Sequence, residues 1–238
     1  MLSIVMPCYN EEKNLPFIFN KLKNIVTDRD DIEIVLVDNG SKDNSAAVFQ
    51  DLIQKTNSPF FKVITVSHNQ GYGHGILSGL AAATGDVLAW THADMQTDPN
   101  DVLKAYDLYK TQQTQPCLVK GKRYKRAFLD AAFSFGMQLI ANRVLKTALD
   151  DINAQPKLFS RQFYETQIKK NAPLDFSLDL FLLYQAHKNQ LNIIHLPVFF
   201  NKRVYGEAKG GGSLKNKYKL TKRTLNYIFS LKKHIASR

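Results

Sequence analysis

Two cysteines in 238 residues, Cys8 and Cys117, are too few for a disulfide scaffold, and a reducing, cytoplasmic setting is the natural expectation. Long hydrophobic runs are missing as well: none approaches the ~18 residues that a membrane-spanning helix needs. The opening MLSIVMPCYNEEKN lacks the basic start and extended apolar centre of an export signal and reads instead as a first strand. There is no Rossmann G-x-G-x-x-G and no P-loop GK[ST]. RNP-like aromatics and other nucleic-acid modules are absent too, which argues against nucleic acid as a partner. Without an internal repeat or a low-complexity linker, one extended domain explains the length better than two.

Acidic side chains are in short supply. Against 32 Lys and Arg stand 21 Asp and Glu, a formal charge of +11. From Asn201 to Arg238 there are eleven Lys or Arg and one acid, Glu207, so this tail carries +10. A second basic knot, KGKRYKR, runs from Lys120 to Arg126. Clusters of this kind suit anionic membranes, phosphorylated ligands or nucleic acid, and equally a solvated face.

What is present is alternation. LSIVMP, EIVLVD, FKVITV and DVLAWT are short apolar runs rich in Val and Ile, of strand length. Between them lie helix-like stretches at Glu11–Val26, Asn44–Gln54 and Gly75–Ala83. Strands apolar throughout suit a mostly parallel sheet covered on both faces, so an α/β fold is expected. Further on, CLVKG and LNIIHLPVFF read as strands, FLDAAFSFGMQLIANRVLKTAL and LDLFLLYQAHK as helices. In the tail, Leu214, Tyr218, Thr221, Leu225 and Ile228 recur at steps of four and three. That stripe fits a basic amphipathic helix, which can lie in a membrane interface or pack on the protein's own core. The chain therefore divides, on this reading, into residues 1–210 and a basic tail, 211–238.

Ligands of α/β sheets sit beyond the C-terminal ends of the strands, so the residues there are read together. They are Pro7, Tyr9, Asn10 and Glu11; Asp38, Asn39, Gly40, Ser41 and Asp43; His68, Asn69 and the glycines of NQGYGHG; and HADMQ. Ser41 and Asp43 suit a turn and helix cap, whereas Asp38 stands where a carboxylate can accept from a ribose or base. The glycines of NQGYGHG allow either a tight connection or a close backbone approach to a ligand. In an extended loop His92, Asp94 and Gln96 project to one side. Asp94 and Gln96 offer oxygens to a hard cation, and His92 can complete a manganese site. Taken alone, the same residues read first as a capped turn.

Together, in this order, VMPCYNEE, EIVLVDNGSKDN, NQGYGHG…LAAATGD and ADMQTDP resemble the family-2 glycosyltransferases of the GT-A fold. RVYGEAK, from Arg203 to Lys209, resembles an element of their polyprenyl-phosphate branch, the dolichyl-phosphate mannose synthase type. The resemblance implies an inverting transfer of sugar from a UDP- or GDP-sugar to a polyprenyl phosphate, with Mn2+ or Mg2+, at the inner membrane leaflet. It implies that Pro7, Tyr9, Glu11 and Asp38 line the nucleotide, and that Asp94 and Gln96, with His92, hold the cation. Arg123, Lys157, Arg203 and Lys209 would meet the acceptor phosphate, with Asp94, Arg203 and Lys209 closest to the chemistry. Three departures stand out: the family's D-x-D reads His92-Ala93-Asp94, its DD reads Asp38-Asn39, and its D-x-x-SGFR reads Asp151 followed by INAQPK. A hydroxyl acceptor would instead require a carboxylate base, for which Asp151, Asp175 and Asp179 are the candidates; Asp179 also suits a structural pair on its helix. A non-catalytic nucleotide- or nucleic-acid-binding protein and a degenerate transferase crippled at His92 are the remaining alternatives.

Overall fold

A computed structural model describes residues 1–27, 29–56, 58–112, 115–125, 128–201 and 214–236. Seven strands form one sheet: β1 (Leu2–Cys8), β2 (Ile32–Asp38), β3 (Phe61–Thr65), β4 (Val87–Trp90), β5 (Cys117–Tyr124), β6 (Lys157–Ser160) and β7 (Asn192–Phe199). Their spatial order is β3-β2-β1-β4-β6-β5-β7. Neighbours are parallel except at β6, which runs antiparallel to both β4 and β5. The mixed, mostly parallel α/β sheet expected from the alternation is the one observed.

Strand β1 is buried along its whole length apart from Pro7. Val5 faces one apolar cluster while Leu2, Ile4 and Met6 face another. This two-sided burial is what a central parallel strand requires, and it explains the unbroken apolar run. On one face lie α1 (Leu15–Val26), α2 (Ser45–Thr56) and α4 (Asn100–Lys110); on the other lie α3 (Tyr72–Ala82), α5 (Phe128–Leu145), α7 (Leu178–Lys188) and α8 (Leu214–Ala236). A short α6 (Arg161–Phe163) runs into a π-helical turn, Tyr164–Ile168. Helix α1 starts beside Pro16 and buries Leu15, Ile18, Leu22 and Ile25 at helical spacing,.

Helix α4 and strand β6, like the short α6 and its π-helical turn, have no counterpart in the sequence reading. Helix α4 carries a short stripe of Val102, Ala105 and Tyr106, and β6 is only four residues long, too short for a periodic signal. Helix α5 ends at Leu145, earlier than expected. Lys146 turns left-handed at φ 54°, and the Asn142 carboxamide takes over the chain, donating to Leu149 O and accepting from Leu149 N at 2.7 and 2.8 Å. Among the described residues no helix is long and apolar enough to cross a membrane. Helix α8 docks on the core: Ile228 is fully buried, Leu225, Tyr227 and Leu231 pack beside it, and Tyr218 and Phe229 face outward.

The ends of β1 and β4 flank the point where the strand order reverses, the usual crevice of an open α/β sheet. Beside it, β6 brings the 150–156 loop against β5. A Cβ added at Gly121 would sit 2.1 Å from Gln155 O, so this approach admits only glycine. Gly121→Ala is expected to cost about 1–3 kcal/mol, read as a lower urea midpoint with an unchanged slope. An unaltered midpoint would mean that the loop is free to shift.

Candidate active site

The first wall of the crevice is the β1 end. Asn10 N and Glu11 N donate to Ser41 Oγ and Ser45 Oγ, both at 3.0 Å. Lys42 N returns to Asn10 Oδ1 at 2.8 Å. These bonds lock the VMPCYNEE and DNGSKDN turns together. Pro7 and Tyr9 are half-buried at this edge, while Glu11 and Asp38 are buried. Glu11 Oε2 accepts from Asn14 Nδ2 at 2.5 Å, and Asp38 Oδ1 accepts from Ser41 N at 3.0 Å. Gly40, at φ +70°, leaves no room for a side chain against His68 and Asn69.

Of the glycine-rich loop, the structure gives a different account from close approach to a ligand. A Cβ on Gly71 or Gly73 would meet the carbonyls of Leu174 or Pro173 at 2.4–2.5 Å, and one on Gly75 would meet Asn39 Cγ at 2.7 Å. These glycines let α3 begin against the 173–175 backbone. Asn39 Nδ2 donates to Gly71 O at 3.0 Å, a bond that an Asp could not make. The departure from DD thus has a physical reason.

His92, Asp94 and Gln96 are all half-buried on the turn after β4. Asp94 Oδ1 accepts from Gln96 N at 3.1 Å, and Gln96 Nε2 donates to Asn201 O at 3.2 Å. Met95 between them is left-handed, φ 61°. The His92 ring lies 5.9 Å from that of Tyr72. Among the described residues no three His, Cys, Asp or Glu cluster as a metal cage. One carboxylate, one amide and one imidazole fit a cation held largely by substrate phosphates, the habit of Mg2+ and similar ions.

Across the crevice stands a charged layer. Arg123 donates from its backbone N to Asp151 Oδ2 at 2.7 Å and from Nε to Oδ1 at 3.0 Å, with its NH2 group on the same carboxylate. Burial alone would raise the Asp151 carboxyl, but Arg123 holds it below its ordinary value. Asp150 accepts from Lys120, Lys122 and His195 at 3.3, 3.2 and 2.6 Å. Against the opposing effect of burial, these groups bring it to about 2. Lys122, Arg123, Asp150 and Asp151, with Ala131, Ser134, Phe135 and Gln138, line a cleft of about 390 Å³.

Lys157, expected at the acceptor phosphate, is fully buried. Its ammonium donates to Ala154 O, Ile152 O and Asp179 Oδ1 at 2.6, 2.8 and 3.1 Å. Asp179 also accepts from Gln155 Nε2 at 2.8 Å. Arg203 and Lys209 lie outside the described residues. Tyr72, Asp150 and Gln155 were not singled out from sequence; Tyr72 was hidden among glycines, and Gln155 lies in the INAQPK stretch that departs from the family's pattern, so the resemblance gave it no role.

Lys120 is buried, and burial with the neighbouring Lys157 charge lowers it to about 8. Between that value and the ordinary ~10.4 the unfolded chain holds the proton that the folded chain has lost, so stability rises with pH across this window. Compared with Lys120→Met, the wild type should gain roughly 3 kcal/mol from pH 8 to 10.5, measured by denaturant titration. A constant difference between the two would contradict the assignment.

The family model described as Glycosyl transferase family 2 matches residues 3–166. The chain is 28% identical over 216 residues to an undecaprenyl-phosphate 4-deoxy-4-formamido-L-arabinose transferase of Pseudomonas fluorescens, covering 87% of this chain and 59% of that protein. It is 25% identical over 213 residues to a dolichyl-phosphate beta-glucosyltransferase of Dictyostelium discoideum, covering 83% and 65%. The chain thus spans about three fifths of the length of these curated relatives. Among solved structures, glucosyl-3-phosphoglycerate synthase from Mycobacterium tuberculosis, crystallised with Mn2+, UDP and phosphoglyceric acid, superposes with a TM-score of 0.76. That match has 17% identity and covers 97% of this chain and 78% of the synthase chain. At that identity the likeness speaks for the fold, which is GT-A.

Proposed function

The chain belongs to glycosyl transferase family 2, and from that premise we propose that it moves a sugar from a nucleotide-diphosphate sugar to a polyprenyl phosphate, with inversion, at a membrane face. The observation that carries the acceptor's identity is the state of the carboxylates. Asp151 is held by Arg123, Asp179 by Lys157 and Asp175 by Arg223, the last at 3.1 Å. A carboxylate whose oxygens are committed to a cation is a poor base for a sugar hydroxyl. A phosphate monoester is ionised near pH 7 and needs no base.

In this reading Pro7, Tyr9, Glu11 and Asp38 line the nucleotide. Asp94, Gln96 and His92 face its diphosphate and would hold a divalent cation. That cation, when bound, supplies positive charge to the departing diphosphate. An acceptor phosphate oxygen attacks the anomeric carbon opposite the nucleotide, the C–O bond to the diphosphate breaks, and configuration inverts in one displacement. Lys122 and Arg123 offer charge to the acceptor phosphate in the 390 Å³ cleft, and Phe135 and Ala131 offer apolar wall to its isoprenoid. Arg203 and Lys209 belong to the same role. Fixing two anions in line is where such a site gains most of its rate. Lys157, bound by three oxygens, serves by organising the loop rather than by touching phosphate. The basic tail supplies membrane attraction of about 1 kcal/mol per surface Lys or Arg.

The test is to incubate the protein with Mn2+, polyprenyl phosphate and a panel of labelled UDP- and GDP-sugars, then count label extracted into organic solvent. Transfer from one donor, cut at least ~100-fold in Asp94→Ala, is the expected result. Absence of transfer from every donor, with label appearing in aqueous glycans, would overturn the acceptor assignment.

A further inference from the structure

Tyr72 occupies a place that the proposed roles leave unexplained. Its ring stacks on Phe176, 4.7 Å between centroids and 6° from parallel. On another side it meets the His92 imidazole at 5.9 Å, tilted 38°. Its hydroxyl accepts from Gln155 Nε2 at 3.2 Å, and the same nitrogen donates to Asp179 Oδ1 at 2.8 Å. Burial, then the Asp179 and Asp94 carboxylates, push the phenol well above its ordinary value, so it remains a neutral hydroxyl at any working pH. Tyr72 therefore touches His92 of the donor turn and, through Gln155, the Asp179–Lys157 pair.

The loop that presents Tyr72 is clamped at both sides. Asn39 Nδ2 holds Gly71 O at 3.0 Å, and His74 N donates to Leu174 O at 2.9 Å. Gly71 and Gly73 permit no Cβ against the 173–175 backbone. A segment fixed in this way leaves the Tyr72 side chain little freedom. His92 stands where the resemblance places a carboxylate ligand, and an imidazole must be oriented to present a ring nitrogen. Groups that orient a ligand from behind commonly matter to its function nearly as much as the ligand itself.

We propose that Tyr72 is a positioning residue coupling the two halves of the site: held by the Gln155 amide, its ring fixes the imidazole of His92, and with it the turn that faces the donor's diphosphate. The proposal rests on the functional reading above for the role of that turn, but the ring contact is independent of it. Gln155 is almost fully buried, so it acts through Tyr72. The three unusual residues of this chain's motifs, Asn39, His92 and Gln155, thereby converge on one side chain: Asn39 holds its loop, Gln155 its hydroxyl, and His92 receives its ring.

The test uses the full chain and four variants, Tyr72→Leu, Tyr72→Phe, Gln155→Leu and the Tyr72→Phe/Gln155→Leu double. Each is checked for unchanged cooperative unfolding. The first readout is the His92 ring resonance in ligand-free protein, assigned by its loss in His92→Gln. The second is calorimetric binding of UDP and of GDP in the presence of Mn2+. Tyr72→Leu should shift the His92 resonance by removing the neighbouring ring current and weaken Mn2+–nucleotide binding about tenfold. Tyr72→Phe and Gln155→Leu should each give a smaller loss in the same direction, and the double variant should be no worse than Gln155→Leu alone, since both remove the Tyr72–Gln155 hydrogen bond and Gln155→Leu also removes the one to Asp179,. A His92 resonance unmoved in folded Tyr72→Leu, or additive losses in the double variant, would overturn the proposal. Wild-type protein that binds neither nucleotide would defeat the functional reading instead, while the His92 resonance would still decide the ring contact.

Discussion

One buried ammonium holds the two sides of this molecule in register. Lys157 opens the antiparallel strand β6 and pairs with Trp90 of β4 on one side and Lys120 of β5 on the other. An unpaired ammonium in such a place would cost several kcal/mol, and burial does lower its pKa, with Asp179 opposing. The chain meets the cost by folding the 150–156 loop so that two carbonyls and Asp179 surround Nζ. That loop ties the β5 cations and Tyr72 to one segment of chain. Asp150 and Asp151 reach the β5 cations from it, and Gln155 reaches Tyr72. Only the four-residue strand β6 separates β4, which leads into His92, Asp94 and Gln96, from β5, which carries Lys122 and Arg123 of the cationic cleft.

The second organising constraint is charge. A diphosphate leaving group and a phosphate nucleophile repel each other, and only fixed cations or a bound metal can bring them together. This chain has cations in excess, yet many of those in the described site already have an acidic partner. Arg123 and Lys122 reach Asp151 and Asp150. Such pairing keeps the guanidinium and ammonium positioned in advance, so less reorganisation remains when a phosphate arrives. It also leaves Asp150 and Asp151 committed to cations, which under the proposed function favours a nucleophile that carries its own negative charge. Helix α8 adds its basic face on the same core, anchored by Ile228 and by the Arg223–Asp175 pair beside Phe176.

Much of the fold was legible because burial on both faces leaves an unmistakable trace: β1 and β2 are apolar at nearly every position. The crevice followed from knowing where strands end. What escaped detection was short or non-periodic. Four residues of β6 cannot display a period, and the stop of α5 depends on one carboxamide, Asn142, capping its own chain. In the candidate site, strand-end residues such as Asp38 and Asp94 were singled out because their position at the crevice carries the signal, and the structure places both there. Gln155 and Tyr72 were not, since their roles arise from contacts 83 residues apart in sequence. Lys157 was read as a phosphate ligand from its motif position, and only the three-dimensional structure reveals that its charge is already surrounded.

The central claim is that the acceptor is a phosphate and not a hydroxyl. The most direct measurement compares polyprenyl phosphate with the free polyprenol of the same chain length, in identical detergent, donor and Mn2+. Transfer to the phosphate alone, with the alcohol inert, is what the account predicts. Comparable transfer to the alcohol would contradict it, because a base would then have to exist among carboxylates that the structure pairs with Arg123, Lys157 and Arg223.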